Sequence, residues 1–344
     1  MAAAPQPSFQ QILKEIRAGD FKPVYLLGGE EPFHLDQLEK AIREHAVAEQ
    51  ERDFNEEVLY GRDANLQQII GAAKQFPMMA PRRLVLVKEA QELREWRSKE
   101  KLEVLAKYAE NPVPSTVLVL VHRNKMPDKR LSVVKKLASV GVVFHAQRIK
   151  EYKLPEWIEQ FVSARNRRIS PRIARLLSEY LGNDLKKVAG ELEKLFISLP
   201  EGGEVDDVMV ERHIGISKDF NVFELTNALA SKDIGRVTKI VTYMRANAKA
   251  HPVPMVLPIL TNYFSRLLVF HNLPDQSQQA AARALKVHPY AVKEYTLAAR
   301  NYTPAKLERI FGYLRTCDKK SKGIDNVATD AYDLLQETLF KTLH

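Results

Sequence analysis

Two hydrophobic patterns divide the chain. Up to residue 146, short continuous apolar runs alternate with stretches of helical period. Phe9 to Ala18 reads as an amphipathic helix, and Val24 to Leu27 as a strand closed by a turn at Gly28 and Gly29. A second helix is expected from Leu35 to Ala46, a second strand at Val58 to Tyr60, and a helix from Leu66 to Phe76. Arg83 to Val87 and Thr116 to Val121 are apolar throughout, as in parallel strands covered on both faces, and Val142 to Phe144 makes a fifth. Strands separated by helical stretches imply right-handed crossovers and a three-layer parallel sheet.

Near Gln147 the strand pattern stops. Leu154 to Arg165 is helical. Ser170 then caps a helix with Pro171 at its first position and Gly182 at its end. Asn183 is the expected cap of the next helix, where Leu185, Val188, Leu192 and Leu195 share one face. The break from Pro200 to Gly203 precedes a short helix at about Asp207 to His213, and Ile214 to Asp219 reads as a linker. Beyond it, breakpoints at His251 to Pro254, Leu273-Pro274, His288-Pro289 and Thr303-Pro304 delimit five or six helices, a bundle rather than a repeat array.

Composition agrees with a mostly helical protein: 344 residues with only 14 glycines. A single cysteine, Cys317, excludes a disulfide framework and a four-cysteine zinc site. The start, Met1 to Pro7, lacks the charged and apolar regions of a signal peptide, and the longest apolar run, Val117 to Val121, is strand-sized. A cytoplasmic location is expected. The net charge of +9 is spread along the chain, so it suits nucleic acid or an acidic partner without selecting either.

The turn at Gly28 and Gly29 lies where a nucleotide-binding domain places its phosphate loop, Gly-x-x-x-x-Gly-Lys-Ser/Thr. Here it continues Glu30-Glu31-Pro32-Phe33, with no lysine for phosphate and no hydroxyl for magnesium. Two carboxylates at a helix entrance suit its dipole and repel an anion. The apolar run that would end in metal-binding acids ends in Lys88-Glu89 instead. A degenerate site that binds no nucleotide is expected at Gly28, Gly29, Glu30, Glu31, Lys88 and Glu89.

Phe76-Pro77-Met78-Met79-Ala80-Pro81 admits two readings: a buried helix-to-strand connection, or an exposed apolar plug suited to an irregular groove. The basic groups Lys319-Lys320-Ser321-Lys322, Lys129-Arg130 and Arg165 to Arg168 are solvated faces or phosphate contacts. No histidine pattern supports a metal, and no nucleophile motif appears, so neither catalysis nor a cofactor is expected of the chain itself.

Four segments carry a resemblance: Val24 to Phe33, Phe76 to Lys88, Asn183 to Leu195 and Phe220 to Leu229. In order and spacing they are similar to the delta subunit of the bacterial DNA polymerase III clamp loader, over essentially the whole chain from Phe9. The resemblance implies an ATPase-like α/β domain of the AAA+ type (residues 1–146) that grips the clamp, a three-helix lid domain (147–214), and an all-α collar bundle (215–344) that joins neighbouring subunits in a hetero-oligomeric ring. It implies a non-catalytic subunit of a DNA-directed DNA polymerase holoenzyme, a nucleotidyltransferase, that binds the sliding clamp and holds its ring open for loading onto primed DNA. Phe76, Pro77, Met78 and Met79 occupy the clamp-gripping position, although relatives usually have leucine or phenylalanine where this chain has methionine. Lys319, Lys320 and Lys322 would approach DNA within the assembly. The alternatives are a divergent phosphate-loop ATPase or another clamp-loader subunit. The latter usually carries a Ser-Arg-Cys motif and a zinc-binding cysteine cluster, and Arg315-Thr316-Cys317 is the nearest look-alike here.

Overall fold

Each apolar run of the first region is a strand in the computed structural model, which describes residues 7–215, 220–326 and 328–344. The chain forms two compact units, Met1–Ile149 and Lys150–His344. In the first, the elements run α1 (Phe9–Arg17), β1 (Val24–Gly29), α2 (Pro32–Ala46), α3 (Arg52–Asn55), β2 (Glu56–Tyr60), α4 (Leu66–Ala73), β3 (Arg83–Lys88), α5 (Lys99–Glu110), β4 (Thr116–Arg123), α6 (Ser132–Val140) and β5 (Val142–Ala146). The five strands form one parallel sheet in the order β2-β3-β4-β1-β5.

Alternation along the strands assigns each side chain to a face. Tyr25, Leu27, Leu84, Leu86, Val117, Val119 and Val121 pack in one core with Ile12 and Ile16 of α1 and Leu35, Leu38 and Ile42 of α2. Val24, Leu26, Val85, Val87, Leu118 and Leu120 pack on the other face with Ile69, Leu105 and Val134, from α4, α5 and α6. Burial on both faces is why these strands read as unbroken apolar runs rather than alternating ones.

The glycine pair differs from its sequence reading. Gly28 and Gly29 are not a turn but the last two residues of β1, in register with His122 and Arg123 of β4 and with His145 and Ala146 of β5. Glycine is required there by crowding. A Cβ at Gly29 would lie 2.3 Å from the Ala146 carbonyl oxygen, and its φ of +134° is in the region that excludes side chains. Only Glu30 and Glu31 separate β1 from α2, which starts at Pro32 rather than Leu35.

The second unit holds α7 (Leu154–Ser163), β6 (Arg168–Ile169), α8 (Pro171–Leu181), α9 (Leu185–Ser198), β7 (Glu204–Val205) and α10 (Asp207–Ile214). Ser170 caps α8 as expected, its hydroxyl accepting from the Ile173 amide at 3.3 Å. The cap of α9 is Asp184, not Asn183; its carboxylate accepts from the Lys186 and Lys187 amides at 3.0 and 3.1 Å. The two-residue parallel pair of β6 and β7 is a further departure, too short to leave a period. Of the expected linker, Ile216 to Asp219 lie outside the described residues.

Seven helices follow among the described residues: α11 (Val222–Ala230), α12 (Ile234–Ala246), α13 (Val253–His271), α14 (Gln278–Leu285), α15 (Val292–Asn301), α16 (Pro304–Ser321) and α17 (Ala331–Leu343). The expected number was five or six. The extra breaks carry no proline: Lys232 takes a left-handed φ of 55° before the Asp233 cap of α12, and Gly323 and Asp325 take positive φ before the Asp330 cap of α17. At 19 residues, α13 is long and apolar enough to cross a membrane, which the short runs of the sequence did not suggest. Its Leu257, Leu260, Phe264, Leu267 and Phe270 are buried in the core shared by the seven helices.

Two predictions follow from this packing. Gly29→Ala drives a methyl group into the β5 backbone and is expected to destabilise by about 2 kcal/mol or more, read as a lower denaturant midpoint at unchanged slope. An unchanged midpoint would contradict the close approach. His34, in the first turn of α2, stacks on Phe9 with ring centroids 4.4 Å apart, and burial lowers its pKa from 6.5 to about 4. The unfolded state then binds the proton that the folded state refuses between those values. Stability contributed by neutral His34 is therefore complete above pH 6.5 and falls as the pH drops toward 4. At pH 5, wild type is expected to have lost about 2 kcal/mol relative to pH 7.5 at this site, and His34→Phe to lose correspondingly less. Equal losses in the two proteins would refute the assignment.

Candidate functional site

The strand order reverses around β1, because β1 sits between β4 and β5 while the chain leaves it for β2 at the far edge. In open parallel sheets ligands enter the crevice outside the carboxyl ends of the strands at such a point. Here the polar groups around that crevice are engaged by the protein itself. The Glu31 carboxylate accepts from the Phe33 amide at 3.2 Å, so the helix caps its own N-terminus, and the Glu31 amide donates to the Ala146 carbonyl at 3.0 Å. Pro32 at the first helical position offers no N–H at all. Met126 packs so close to Gly28 that a Cβ there would meet its sulfur at 2.8 Å.

Lys88 at the end of β3 is engaged as well. Lys88 Nζ lies 2.8 Å from Glu39 Oε1, and Arg123 from the end of β4 reaches Asp36 at 2.7 Å and Glu39 Oε2 at 3.4 Å. Glu39 is buried, so its charge is balanced by two cations from adjacent strands. Glu89 takes a left-handed φ of 51° and opens a short 3-10 turn. Glu30 sits at the surface, 3.4 Å from His145 Nε2. Acid and base are consumed by each other where a phosphate and a metal would need them free.

The segment from Phe76 to Pro81 lies at the opposite end of the same sheet, just before β3. Of the two placements left open by the sequence, the structure has the exposed one. Met79 is 102 % exposed, Met78 60 % and Phe76 78 %, with Pro77 half-buried. Met79 also takes a left-handed φ of 53°, which costs a non-glycine residue on the order of 1 kcal/mol.

What fixes this segment lies beneath it. Asn55, at the end of α3, is fully buried and accepts from the Met78 amide at 2.6 Å while donating to the Met78 carbonyl at 2.9 Å. Arg83, the buried first residue of β3, donates to the Ala72 carbonyl at 3.2 Å and the Phe54 carbonyl at 3.0 Å, and pairs with Glu57 at 2.5 Å. Phe54 itself is 64 % exposed, one residue before the asparagine that holds Met78. Sequence reasoning missed Phe54, Asn55, Glu39, Arg83 and Arg123. Asn55 and Met78 are 23 positions apart and share no periodic pattern, so no local signal could have joined them.

The basic groups are largely engaged. Arg130 pairs with Asp128 at 2.7 Å. Arg165 stacks over the Phe161 ring at 3.5 Å and pairs with Glu193, and Arg167 donates to the Leu199 carbonyl at 3.0 Å. These two arginines therefore staple α7 to α9 rather than form a free cationic patch. At the end of α16, Lys319 pairs with Asp325 at 3.4 Å and Lys322 with Asp318 at 2.8 Å, while Lys320 is half-buried. Lysines in a last helical turn also complement the helix dipole. Cys317, four residues earlier than Ser321, is buried.

Residues 25–147 match the family model of the DNA polymerase III delta subunit, and residues 219–332 match that of the C-terminal domain of the same subunit. Over 317 residues the chain is 27 % identical to the DNA polymerase III subunit delta of Bacillus subtilis (strain 168), covering 90 % of this chain and 91 % of that one. The solved structure of the Bacillus subtilis DNA clamp loader delta protein matches with a TM-score of 0.60 and 26 % identity, across 98 % of this chain and 99 % of that chain. Fold, family models and relatives agree: the chain belongs to the family of DNA polymerase III delta subunits, the clamp-loader subunits of DNA replication.

Proposed function

We propose that this chain grips the sliding clamp through Phe76, Pro77, Met78 and Met79 and holds one interface of the ring open for loading onto primed DNA. The observation that carries this reading is the exposure of two adjacent methionines on a backbone fixed from below. Unbranched, polarizable side chains adapt to an irregular apolar groove. Burying both contributes roughly 3–6 kcal/mol before the costs of association are subtracted. A ring whose open form exposes that groove better is then shifted toward opening by differential binding alone.

The closed switch point supports a passive role for the ATPase-like domain. With the α2 N-terminus self-capped and Lys88 held by Glu39, a triphosphate would have to displace both. Nucleotide therefore acts on other subunits of the loader. The remainder of the chain serves the assembly, with residues 147–214 as lid and 215–344 as the collar that meets neighbouring subunits. Lys319, Lys320 and Lys322 approach the DNA only in that assembly. Since Lys319 and Lys322 already have acidic partners, DNA affinity of the isolated chain is weak and falls steeply with salt.

Met78→Ala combined with Met79→Ala is expected to abolish capture of the clamp in a pull-down. Its melting temperature should stay close to wild type, because both side chains lie outside the core. Undiminished capture by the double variant would overturn the reading.

A further inference from the structure

Asn55 is an uncommon kind of buried residue. Amide side chains belong mostly at the surface, yet this one has no exposed area and spends all its bonds on backbone. Its oxygen takes the Met78 N–H at 2.6 Å; its nitrogen gives to the Met78 carbonyl at 2.9 Å and to the Glu51 carbonyl at 3.1 Å. The two bonds to Met78 copy the paired exchange between neighbouring β-strands, with a side chain standing in for one strand. Met78 therefore cannot rotate its backbone to tuck its side chain inward without stranding a buried amide. Met79 follows in its left-handed conformation, fully in solvent.

The partner of this device is the surface the doublet meets. We propose that Asn55 is the positioning residue of the clamp grip, locking the Met78 backbone so that both methionines are presented already ordered. This inference rests on the reading that the methionine segment contacts the clamp. Its physical content is pre-organisation: a segment fixed before contact does not lose that freedom on binding. The lock acts through Met78 and touches no partner itself.

The test measures clamp affinity of the full chain for wild type, Asn55→Ala, Asn55→Asp, Met79→Ala and the Asn55→Ala/Met79→Ala pair, with hydrogen exchange at the Met78 amide. Asn55→Ala is expected to weaken clamp binding about tenfold and to speed exchange of the Met78 amide by at least as much. Asn55→Asp keeps the acceptor for the Met78 N–H and loses the donor, so its amide should stay protected while affinity falls by an intermediate factor. The losses of Asn55→Ala and Met79→Ala should combine to less than their product, because the lock has less to present once Met79 is gone. Should Asn55→Ala fail to fold, Asn55→Asp alone decides by the same affinity measurement. Wild-type affinity in a folded Asn55 variant, or fully multiplicative losses, sinks the inference. Wild-type affinity in Met78→Ala/Met79→Ala, measured alongside, sinks the clamp-contact reading instead, so the two failures are told apart.

Discussion

An apolar side chain keeps a defined place in water only when something other than its own burial fixes the backbone beneath it. In this chain that constraint falls on Met78. The buried Asn55 amide fixes it on one side, and Arg83 ties together Phe54, Ala72 and Glu57 on the other. These anchors sit at the amino ends of β2 and β3, so the rigidity of the parallel sheet is delivered to the segment that follows α4.

At the carboxyl ends of the same strands the opposite economy holds. A parallel sheet with a switch point makes a crevice whether or not a ligand is wanted. Here β1 is joined to α2 by two residues, Glu31 caps the helix, and Glu39 draws in Lys88 and Arg123. Lys88 and Arg123, the cations nearest the crevice on β3 and β4, are both paired with carboxylates of α2. One fold thus carries two ends with different fates, one closed by ion pairs and the other left open and greasy. Both ends occur in a chain of the DNA polymerase III delta subunit family.

Much of this was legible in the sequence, and the parts that were not share a cause. Apolar runs such as Thr116 to Val121 announced buried parallel strands, and Ser170, Pro171 and Gly182 marked a helix from cap to cap, because those signals are local. Gly28 and Gly29 looked like a turn, but glycine was demanded by the Ala146 backbone beside β1, a contact made far along the chain. Asn183 was the expected cap, but the Asp184 carboxylate is the group placed to accept from two helix amides, a geometry that two adjacent polar residues do not reveal. Breaks without proline, at Lys232 and after Gly323, left the helix number short. Asn55 left no signal, since it is unremarkable by composition and its bond to Met78 spans 23 positions. Local chemistry reads forward from sequence; what the tertiary fold brings together does not.

A chain whose crevice charges are paired and whose apolar edge is open should need no nucleotide to hold a clamp. The direct measurement is to mix the purified chain with the cognate clamp in nucleotide-free buffer and weigh the complex by light scattering after size exclusion. A stable one-to-one complex is the predicted result. No complex, or one that forms only when nucleotide is added, would contradict it.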